Sequence, residues 1–307
     1  MTDFKRLPQG EFVALLALLF AMVALSIDAM LPALPDIAQS LSPAAPNQAQ
    51  LVITSFVFGM GFGTLFAGPL SDRYGRKITV QCGLILYAIG AVLCCVAPSL
   101  EVLLAARILQ GLGVAAPRTV SMAIVRDLYV GREMAKIIAF AQMIFTTVTA
   151  IAPFMGAGMI WLAGWQSIFL AYLVFAAICA IWFGLRQPET LPVAARRSLS
   201  LRALTSASKE MFRHPGTLAS ILIQSLTLGM LFSTLSSMQG IFDQQFDRAG
   251  SFAAWFALIA IASMGGSIIN ARYVMTLGMR RVVFLTYLGV FSVRGDAGAD
   301  QFQSGAA

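Results

Sequence analysis

Long runs of apolar residues alternate with short polar segments along this chain. A helix needs about 20 consecutive apolar residues to cross the hydrocarbon core of a bilayer. Such runs predict full transmembrane helices at residues 12–32, 50–70, 78–98, 101–124, 137–161, 165–185, 216–238 and 252–274. A last apolar run, 282–291, covers only about half of the core at roughly 1.5 Å per residue. The pattern predicts an all-α integral membrane protein with about eight full spans and half of a ninth.

Composition argues against a soluble enzyme. Of the 307 residues, 58% are hydrophobic and 11% are charged, whereas about 25% of residues are charged in soluble domains. The four cysteines lie inside apolar runs at spacings that suit no metal site, and no glycine-rich segment ends in the Gly-Lys-Ser or Gly-Lys-Thr of a phosphate loop. We expect a protein that is not an enzyme, holds no metal or other cofactor, and does not use ATP directly.

The net charge of +7 is spread over short loops and does not form one patch, so it indicates membrane topology and no nucleic-acid partner. Basic residues gather in every second polar segment, at Lys5, Arg6, Arg73, Arg76, Lys77, Arg126, Arg132, Lys136, in 186–214, and at Arg272, Arg280 and Arg281. The remaining loops hold only Arg248. The positive-inside rule then predicts a multi-pass protein of a bacterial-type inner membrane, with the N-terminus and 186–214 in the cytoplasm.

A weak internal repeat relates the two halves of the chain. Gly68–Asp72 closes the second predicted span and Gly266–Asn270 closes the eighth, about 198 residues later, as in transporters built from repeats. A repeat of this length predicts twelve spans in about 400 residues. We therefore expect an N-terminal six-helix bundle (1–185), a cytoplasmic central loop (186–214), an incomplete C-terminal bundle (215–291) and a disordered tail outside the repeat (292–307). A truncated gene is the expected origin, and a native short protein is the alternative.

Two motifs carry a family resemblance. Gly68-Pro-Leu-Ser-Asp-Arg-Tyr-Gly-Arg-Lys77 resembles the signature between spans 2 and 3 of the major facilitator superfamily, and Arg107-Ile-Leu-Gln-Gly-Leu-Gly113 resembles its span 4 pattern. The stretches 25–35 and 123–127 are similar to the Bcr/CflA-like drug:proton antiporters. The resemblance implies proton-coupled multidrug efflux by alternating access. It also implies gating roles, locking against span 11 of the other half, for Gly68, Asp72, Arg73, Gly75, Arg76 and Lys77.

Span 5 keeps only part of the motif that the exporters of this family often carry. Pro153 and Gly156 remain and are the expected hinge, whereas Val148, Ala152 and Ala157 stand where the motif has glycine. The export direction is therefore less supported than the fold. Gln142 and Gln224 are expected to line a polar cavity, with hydrogen bonding between helices as the alternative. Glycines that allow close helix approach, or ordinary packing, are Gly59, Gly61, Gly63, Gly156 and Gly158.

Asp28, Arg107 and Arg118 are charged residues inside predicted spans, where each costs about 2.5–3.5 kcal/mol at the helix centre. Asp28 and Arg107 lie at similar depths, and this placement favours a shared cavity. The hypothesis is that Asp28 alternates between a proton and a cationic or polar substrate, and that Arg107 modulates it. A static ion pair, or an interfacial aspartate before Pro32, is the alternative.

Arg118 follows Arg107 by about three turns, which places both on one helix face about 16 Å apart. The expected partner of Arg118 is a carbonyl group, a hydroxyl such as that of Thr146 or Thr147, a residue of the other half, or an anionic substrate. Snorkelling toward the cytoplasmic side is the alternative. Three functions stay open. The first is proton-coupled efflux of amphipathic, drug-like small molecules. The second is uptake of an organic acid or metabolite, which Arg118 and the altered span 5 motif favour. The third is an inactive truncated remnant.

Overall fold

A computed structural model describes residues 7–196, 209, 212–244, 254–256, 258, 259, 262, 281, 284, 285 and 288. The chain divides into two compact units, 1–257 and 258–307. In the second unit the described residues are all helical. The predicted repeat at 266–270, most of the eighth span, most of 282–291 and the tail 292–307 lie outside the described residues. The division of the chain into four segments, as predicted from the sequence, stays a prediction.

Long helices make up nearly all of the described part of the first unit, which contains no strand. Seven of its segments are long and apolar enough to cross a membrane. This confirms the predicted all-α membrane architecture, and the first seven predicted spans each coincide with a helix to within a few residues. The helices are α1 (Gln9–Asp28), α2 (Leu34–Leu41), α3 (Leu51–Tyr74), α4 (Arg76–Cys95), α5 (Leu100–Leu128), α6 (Gly131–Ala163), α7 (Gln166–Arg186) and α8 (Pro215–Gln244).

The first span is broken near its end. Helix α1 stops at Asp28, before residue 32 where the apolar run predicts its end, and a 3-10 turn over Leu31–Ala33 leads into α2. Pro32 and Pro35 explain the break, because proline has no N–H for a helical hydrogen bond and restricts the residue before it. The carbonyl groups of the last turn of α1 are therefore available to side chains from other helices.

Gly75 alone connects α3 to α4. Its φ of +107° lies in the region that favours glycine, and its N–H donates to Ser71 O at 3.0 Å. The start of α1 and the end of α7 lie together, since Arg186 on α7 donates two hydrogen bonds of 2.6 and 2.7 Å to Glu11 on α1. The segment after α7 reaches the start of α4. We call the end of the bundle that contains these groups the Gly75 end.

Helix α5 packs closely on both α3 and α4, backbone against backbone. A Cβ atom added to Gly63 on α3 would lie 2.8 Å from Ala115 Cβ on α5, and one added to Gly83 on α4 would lie 2.7 Å from Gly113 O. A Cβ atom added to Gly59 would lie closer still to the backbone of Ile108, and one added to Gly111 closer still to the backbone of Phe56. Glycine is therefore required at these positions because the facing backbone occupies the space of a side chain.

The glycines predicted to allow close approach fall into two groups. Gly59, Gly63 and Gly156 each meet another helix or turn, with Gly156 on α6 facing the backbone of Ala29 at the break after α1. Gly61 and Gly158 have open space where a side chain would be. Close approach therefore applies to the first group, and the second group tolerates side chains.

We expect Gly111→Ala to lower the free energy of unfolding by about 1–3 kcal/mol, because the new methyl group meets the Phe56 carbonyl. Gly61→Ala is the matched control, and it should be neutral or slightly stabilising because alanine favours the helix. Thermal unfolding of both variants in the same detergent measures the difference. Equal melting temperatures would contradict the backbone packing described above.

Candidate transport site

Arg107 is the largest fully buried side chain of the described residues. Its guanidinium donates to Ser26 O on α1 at 2.8 Å, to Val52 O on α3 at 3.1 Å and to Gln110 Oε1 on its own helix at 2.6 Å. None of these acceptors is a carboxylate. A buried arginine is thus held by neutral oxygens from three helices.

The C-terminus of α1 supplies part of the electrostatic compensation. Carbonyl groups in the last turn of a helix lack intrahelical partners and carry partial negative charge. Arg107 binds one of them, and the Tyr172 hydroxyl on α7 donates to the neighbouring Leu25 O at 2.8 Å. The guanidinium carbon also lies 4.4 Å from the ring centroid of Phe56, within the range of a cation–π contact. Arg107 on α5 and Tyr172 on α7 thus both bind the last turn of α1, just before the break in the first span.

A hydroxyl pair extends the network to α4. Ser26 Oγ donates to Met22 O and lies 2.6 Å from Tyr87 Oη, so the tyrosine is the donor between the two hydroxyls. Gln110 Nε2, at the other side of Arg107, is buried and has no hydrogen-bond partner. Arg107 and its neighbours therefore link α1, α3, α4, α5 and α7 through polar contacts in the bundle interior.

Asp28 lies at the end of α1 with only 5% of its surface exposed. It forms no ion pair with Arg107, whose nearest contact on α1 is the Ser26 carbonyl two residues earlier. Thr149 on α6 lies beside the Asp28 carboxylate, although its hydroxyl has no hydrogen-bond partner. The static ion pair that the sequence left open is therefore absent, and the two charges are connected through the backbone of α1.

The motif after span 2 forms a charged cluster at the Gly75 end. Arg76 donates to Asp72 Oδ1 at 2.6 Å, to Asp127 Oδ2 on α5 at 3.1 Å and to Ser71 Oγ at 2.6 Å. Two carboxylates thus share one guanidinium, and α3, α4 and α5 are joined at their ends. Asp127 belongs to a stretch that carried the family resemblance, but sequence reasoning did not single it out as a site residue.

The other residues of this motif have different surroundings. Gly68 offers its carbonyl to Ser71 Oγ at 2.8 Å and has open space where a side chain would be. Arg73 is exposed and stacks over the ring of Tyr74, 5.1 Å from its centroid. Lys77 enters the cluster through its backbone N–H. The motif therefore makes its contacts through the side chains of Asp72 and Arg76 and through the backbone of Gly75 and Lys77.

Glu189 is a residue of this cluster that the sequence did not reveal. Its carboxylate accepts from the N–H groups of Arg76 at 2.9 Å and Lys77 at 3.1 Å, which begin α4. It also accepts from Thr190 and Leu191, both at 3.0 Å. A negative charge is favourable at a helix N-terminus, where the first N–H groups lack partners.

Gly75 makes room for Glu189, because a Cβ atom there would collide with the carboxylate. Thr190 Oγ1 donates to Asp127 Oδ2 at 3.1 Å, so the segment after α7 contacts both α4 and α5. This segment lies in a stretch dominated by basic residues. Only the fold could show that Glu189 reaches α4.

A cavity of about 560 Å³ opens beside this cluster, between α1, α3, α5 and α6. Arg76, Arg118 and Arg126 line it together with Asp72 and Asp127. Gln142 on α6 also lines it; a role for Gln142 in a transport cavity stays a prediction. Gln224 is exposed on α8 and does not line this cavity.

Pro153 and Gly156, the predicted hinge of span 5, do not line this cavity. Pro153 is buried within α6, and Gly156 one turn later faces the end of α1 near Asp28. Within the described ranges no group of three metal-ligating side chains is found.

We expect Arg107→Lys to destabilise the bundle by roughly 1–3 kcal/mol, because an ammonium cannot reach three acceptors arranged around a planar fork. Arg132→Lys, on an exposed position at the start of α6, makes the same exchange as a control. The melting temperatures of the two variants, measured under the same conditions, test this expectation. An Arg107→Lys protein as stable as the Arg132→Lys control would show that the three hydrogen bonds of Arg107 contribute little to stability.

Glu189→Gln should loosen the segment after α7, since an amide keeps the size of the side chain but loses the negative charge at the start of α4. The expected loss is about 1 kcal/mol, together with faster protease cleavage between residues 187 and 196. Glu133→Gln, an exposed acid in the first turn of α6, is the control. Equal cleavage rates in the two variants would argue that Glu189 does not attach the segment after α7 to the start of α4.

Comparison with known proteins agrees with this architecture. The chain is 28% identical over 271 residues to a bicyclomycin resistance protein homolog of Haemophilus influenzae, covering 87% of this chain and 67% of that protein. It is 28% identical over 281 residues to the multidrug resistance protein MdtL of Klebsiella pneumoniae, covering 90% and 70%.

A crystal structure of a D-xylose-proton symporter shares the fold, with a TM-score of 0.64 at 16% identity over 87% of this chain and 68% of that one. Residues 16–293 match the Major Facilitator Superfamily. Because this match spans most of the sequence, the chain belongs to the Major Facilitator Superfamily, whose members are membrane transporters and not enzymes.

Proposed function

We propose that this protein exports small amphipathic molecules in exchange for protons, by alternating access between the two sides of a bacterial inner membrane. The superfamily supports a secondary-active transporter of small molecules. The resistance proteins to which the chain is similar support export as the direction. The buried carboxylate of Asp28 is the observation that carries proton coupling.

Asp28 is the one acidic residue among the buried polar and charged side chains of the described part of the chain. An ionised carboxylate in an apolar interior is strongly unfavourable unless a cation accompanies it. Arg107 does not fill this role, because its donors are directed at Ser26, Val52 and Gln110. A proton or a cationic group of the substrate is therefore needed at Asp28, and exclusive binding of one or the other is the basis of antiport.

Arg107 acts in this proposal as a positioning residue. It holds the carbonyl of Ser26, two residues before Asp28, and thereby fixes where α1 ends. Gly156 on α6 meets the backbone of Ala29 immediately after Asp28. A bend of α6 at Pro153 would move this contact, and so change the access of water to the carboxylate.

The charged cluster at the Gly75 end would serve as the cytoplasmic gate. Basic residues concentrate there, and this supports an orientation with that end and the N-terminus in the cytoplasm. Asp72, Arg76 and Asp127 hold the ends of α3, α4 and α5 together, while Glu189 attaches the segment that follows α7. Opening the gate would then require these ion pairs and backbone hydrogen bonds to rearrange together.

Uptake of an organic acid or metabolite is the second candidate, and Arg118 in the cavity is the observation that favours it. The two directions differ in where the substrate accumulates. In inverted membrane vesicles the cytoplasmic face is outside, so an exporter fills the vesicle and releases protons from it.

The test is the 307-residue chain expressed in bacteria that lack their own efflux pumps. We expect it to lower ethidium accumulation until a proton uncoupler is added, and inverted vesicles should release protons when ethidium is supplied. Asp28→Asn should abolish both signals, because the amide can neither bind a proton nor neutralise a cation. Asp36→Asn on α2 removes an acid outside the proposed site and should leave both signals unchanged.

Immunoblots of the membrane fraction confirm that every variant is inserted at equal level. Uncoupler-sensitive efflux that survives in Asp28→Asn would refute coupling through this residue. Absence of any ethidium movement by the inserted wild-type chain, for a panel of cationic and neutral probes, would refute export and favour an inactive remnant. Accumulation of a probe inside the cells, driven by the entry of protons, would favour the uptake carrier.

A further inference from the structure

The cavity at the Gly75 end contains a cation for which the described part of the chain supplies no counter-charge. Arg76, Arg118 and Arg126 line it with two acids, Asp72 and Asp127. Both acids are occupied by Arg76, at 2.6 and 3.1 Å. Neither Arg118 nor Arg126 forms an ion pair or a hydrogen bond with another residue in the described ranges. The cavity therefore has an excess of positive charge.

Arg118 differs from Arg126 in depth. Arg118 lies ten residues before the end of α5 at Leu128, which is about 15 Å along the helix, whereas Arg126 lies in its last turn. A hydrocarbon core of about 30 Å centred on this 29-residue helix would extend past Arg118 but not to Arg126. Within that depth Arg118 is exposed on the wall of the cavity. Its guanidinium faces the cavity, 5.9 Å from the ring of Phe145.

The remaining walls of the cavity combine apolar side chains with uncharged polar ones. Phe20 on α1 and Ile138 and Phe145 on α6 offer apolar contacts. Thr119 and Gln142 stand near the arginine as uncharged hydrogen-bonding groups. A volume of about 560 Å³ is in the range of pockets that hold drug-sized ligands. An apolar wall beside an uncompensated guanidinium fits a molecule with an apolar body and one anionic head.

We propose that this cavity is a binding site for amphipathic anions, in which Arg118 binds a single carboxylate or phosphate group and Phe20, Ile138 and Phe145 contact the apolar body. Arg126 lies about 12 Å further along α5, too far to share a small head group, and attracts anions toward the mouth. Such a ligand is either a free organic anion or an anionic lipid. The inference that it is cargo rests on the proposed transport function, whereas its binding does not.

Binding is measured on the purified chain in nanodiscs of phosphatidylcholine, with dansyl-undecanoate as the fluorescent probe and its methyl ester as the neutral counterpart. We expect the acid to bind at least about tenfold more tightly than the ester, since a hydrogen bond to a charged group contributes on this order. Arg118→Gln should remove that difference, and Arg118→Lys should keep most of it. Arg132→Gln, an exposed residue outside the cavity, is the charge-matched control and should bind as the wild type does.

Adding phosphatidylglycerol to the nanodiscs separates the two sources of the anion. If a lipid head group occupies the site, phosphatidylglycerol weakens probe binding by the wild type and by Arg118→Lys but not by Arg118→Gln. If the occupant is a free organic anion, decanoate displaces the probe and phosphatidylglycerol has no effect. Either result supports an anion site at Arg118.

Equal affinity of the wild type for acid and ester would overturn the proposal, and this comparison needs no variant to fold. An Arg118→Gln protein that melts like the wild type and still prefers the acid would overturn it as well. Ethidium efflux through Asp28 is recorded separately. Loss of anion binding with efflux intact removes this inference alone, whereas anion binding without efflux removes the proposed function and leaves the site.

Discussion

The contact between Arg107 and the end of α1 is the interaction on which the rest of the bundle depends. A guanidinium in the interior of a membrane protein is tolerated only where its donors are satisfied. Here the break before Pro32 leaves carbonyl groups at the end of α1 for it to bind, and Val52 and Gln110 complete its shell. The buried charge and the broken helix therefore require each other, and together they place Asp28.

This arrangement separates the two kinds of polar chemistry in the molecule. Around Arg107 the acceptors are neutral, and the nearby carboxylate of Asp28 forms no ion pair within the described part of the chain. At the Gly75 end the opposite holds, because Arg76 is enclosed by two acids and Glu189 binds the start of α4. In the proposed function the interior site exchanges its proton or ligand, whereas the polar groups of the cluster at the Gly75 end bind one another and join the ends of α3, α4 and α5.

The seven long helices of the described part of the first unit could be predicted from the sequence, because apolar run length is set by bilayer thickness, whereas the short α2 could not. Arg107 could be identified as important because a charge within a span is costly. Its hydrogen-bond partners, Ser26, Val52 and Gln110, could not be identified from the sequence. Depth along a helix can be computed from residue spacing, whereas the direction of a side chain depends on helix rotation and on which helices are neighbours. Similar depths for Asp28 and Arg107 therefore predicted a shared cavity that their contacts do not show.

The same limit explains Glu189 and the glycines. Glu189 acts on α4 across more than a hundred residues of sequence, and no local pattern marks it. Gly59 and Gly61 lie on opposite faces of α3. Ile108 occupies the space beside Gly59, whereas the space beside Gly61 is open, and the sequence does not distinguish the two glycines. Patterns of composition and length are local quantities, and they predict elements well. Contacts between distant elements need the packed structure.

The glycine contacts of α5 have a mechanical consequence. Where α3, α4 and α5 meet backbone to backbone, no flexible side chain lies between them that could change rotamer and absorb a displacement. The three helices, roughly 30–45 Å long, should therefore move as one rigid body. A small tilt at the single-residue turn of Gly75 would then displace the opposite ends of these helices, where Arg107 binds the Ser26 carbonyl near Asp28.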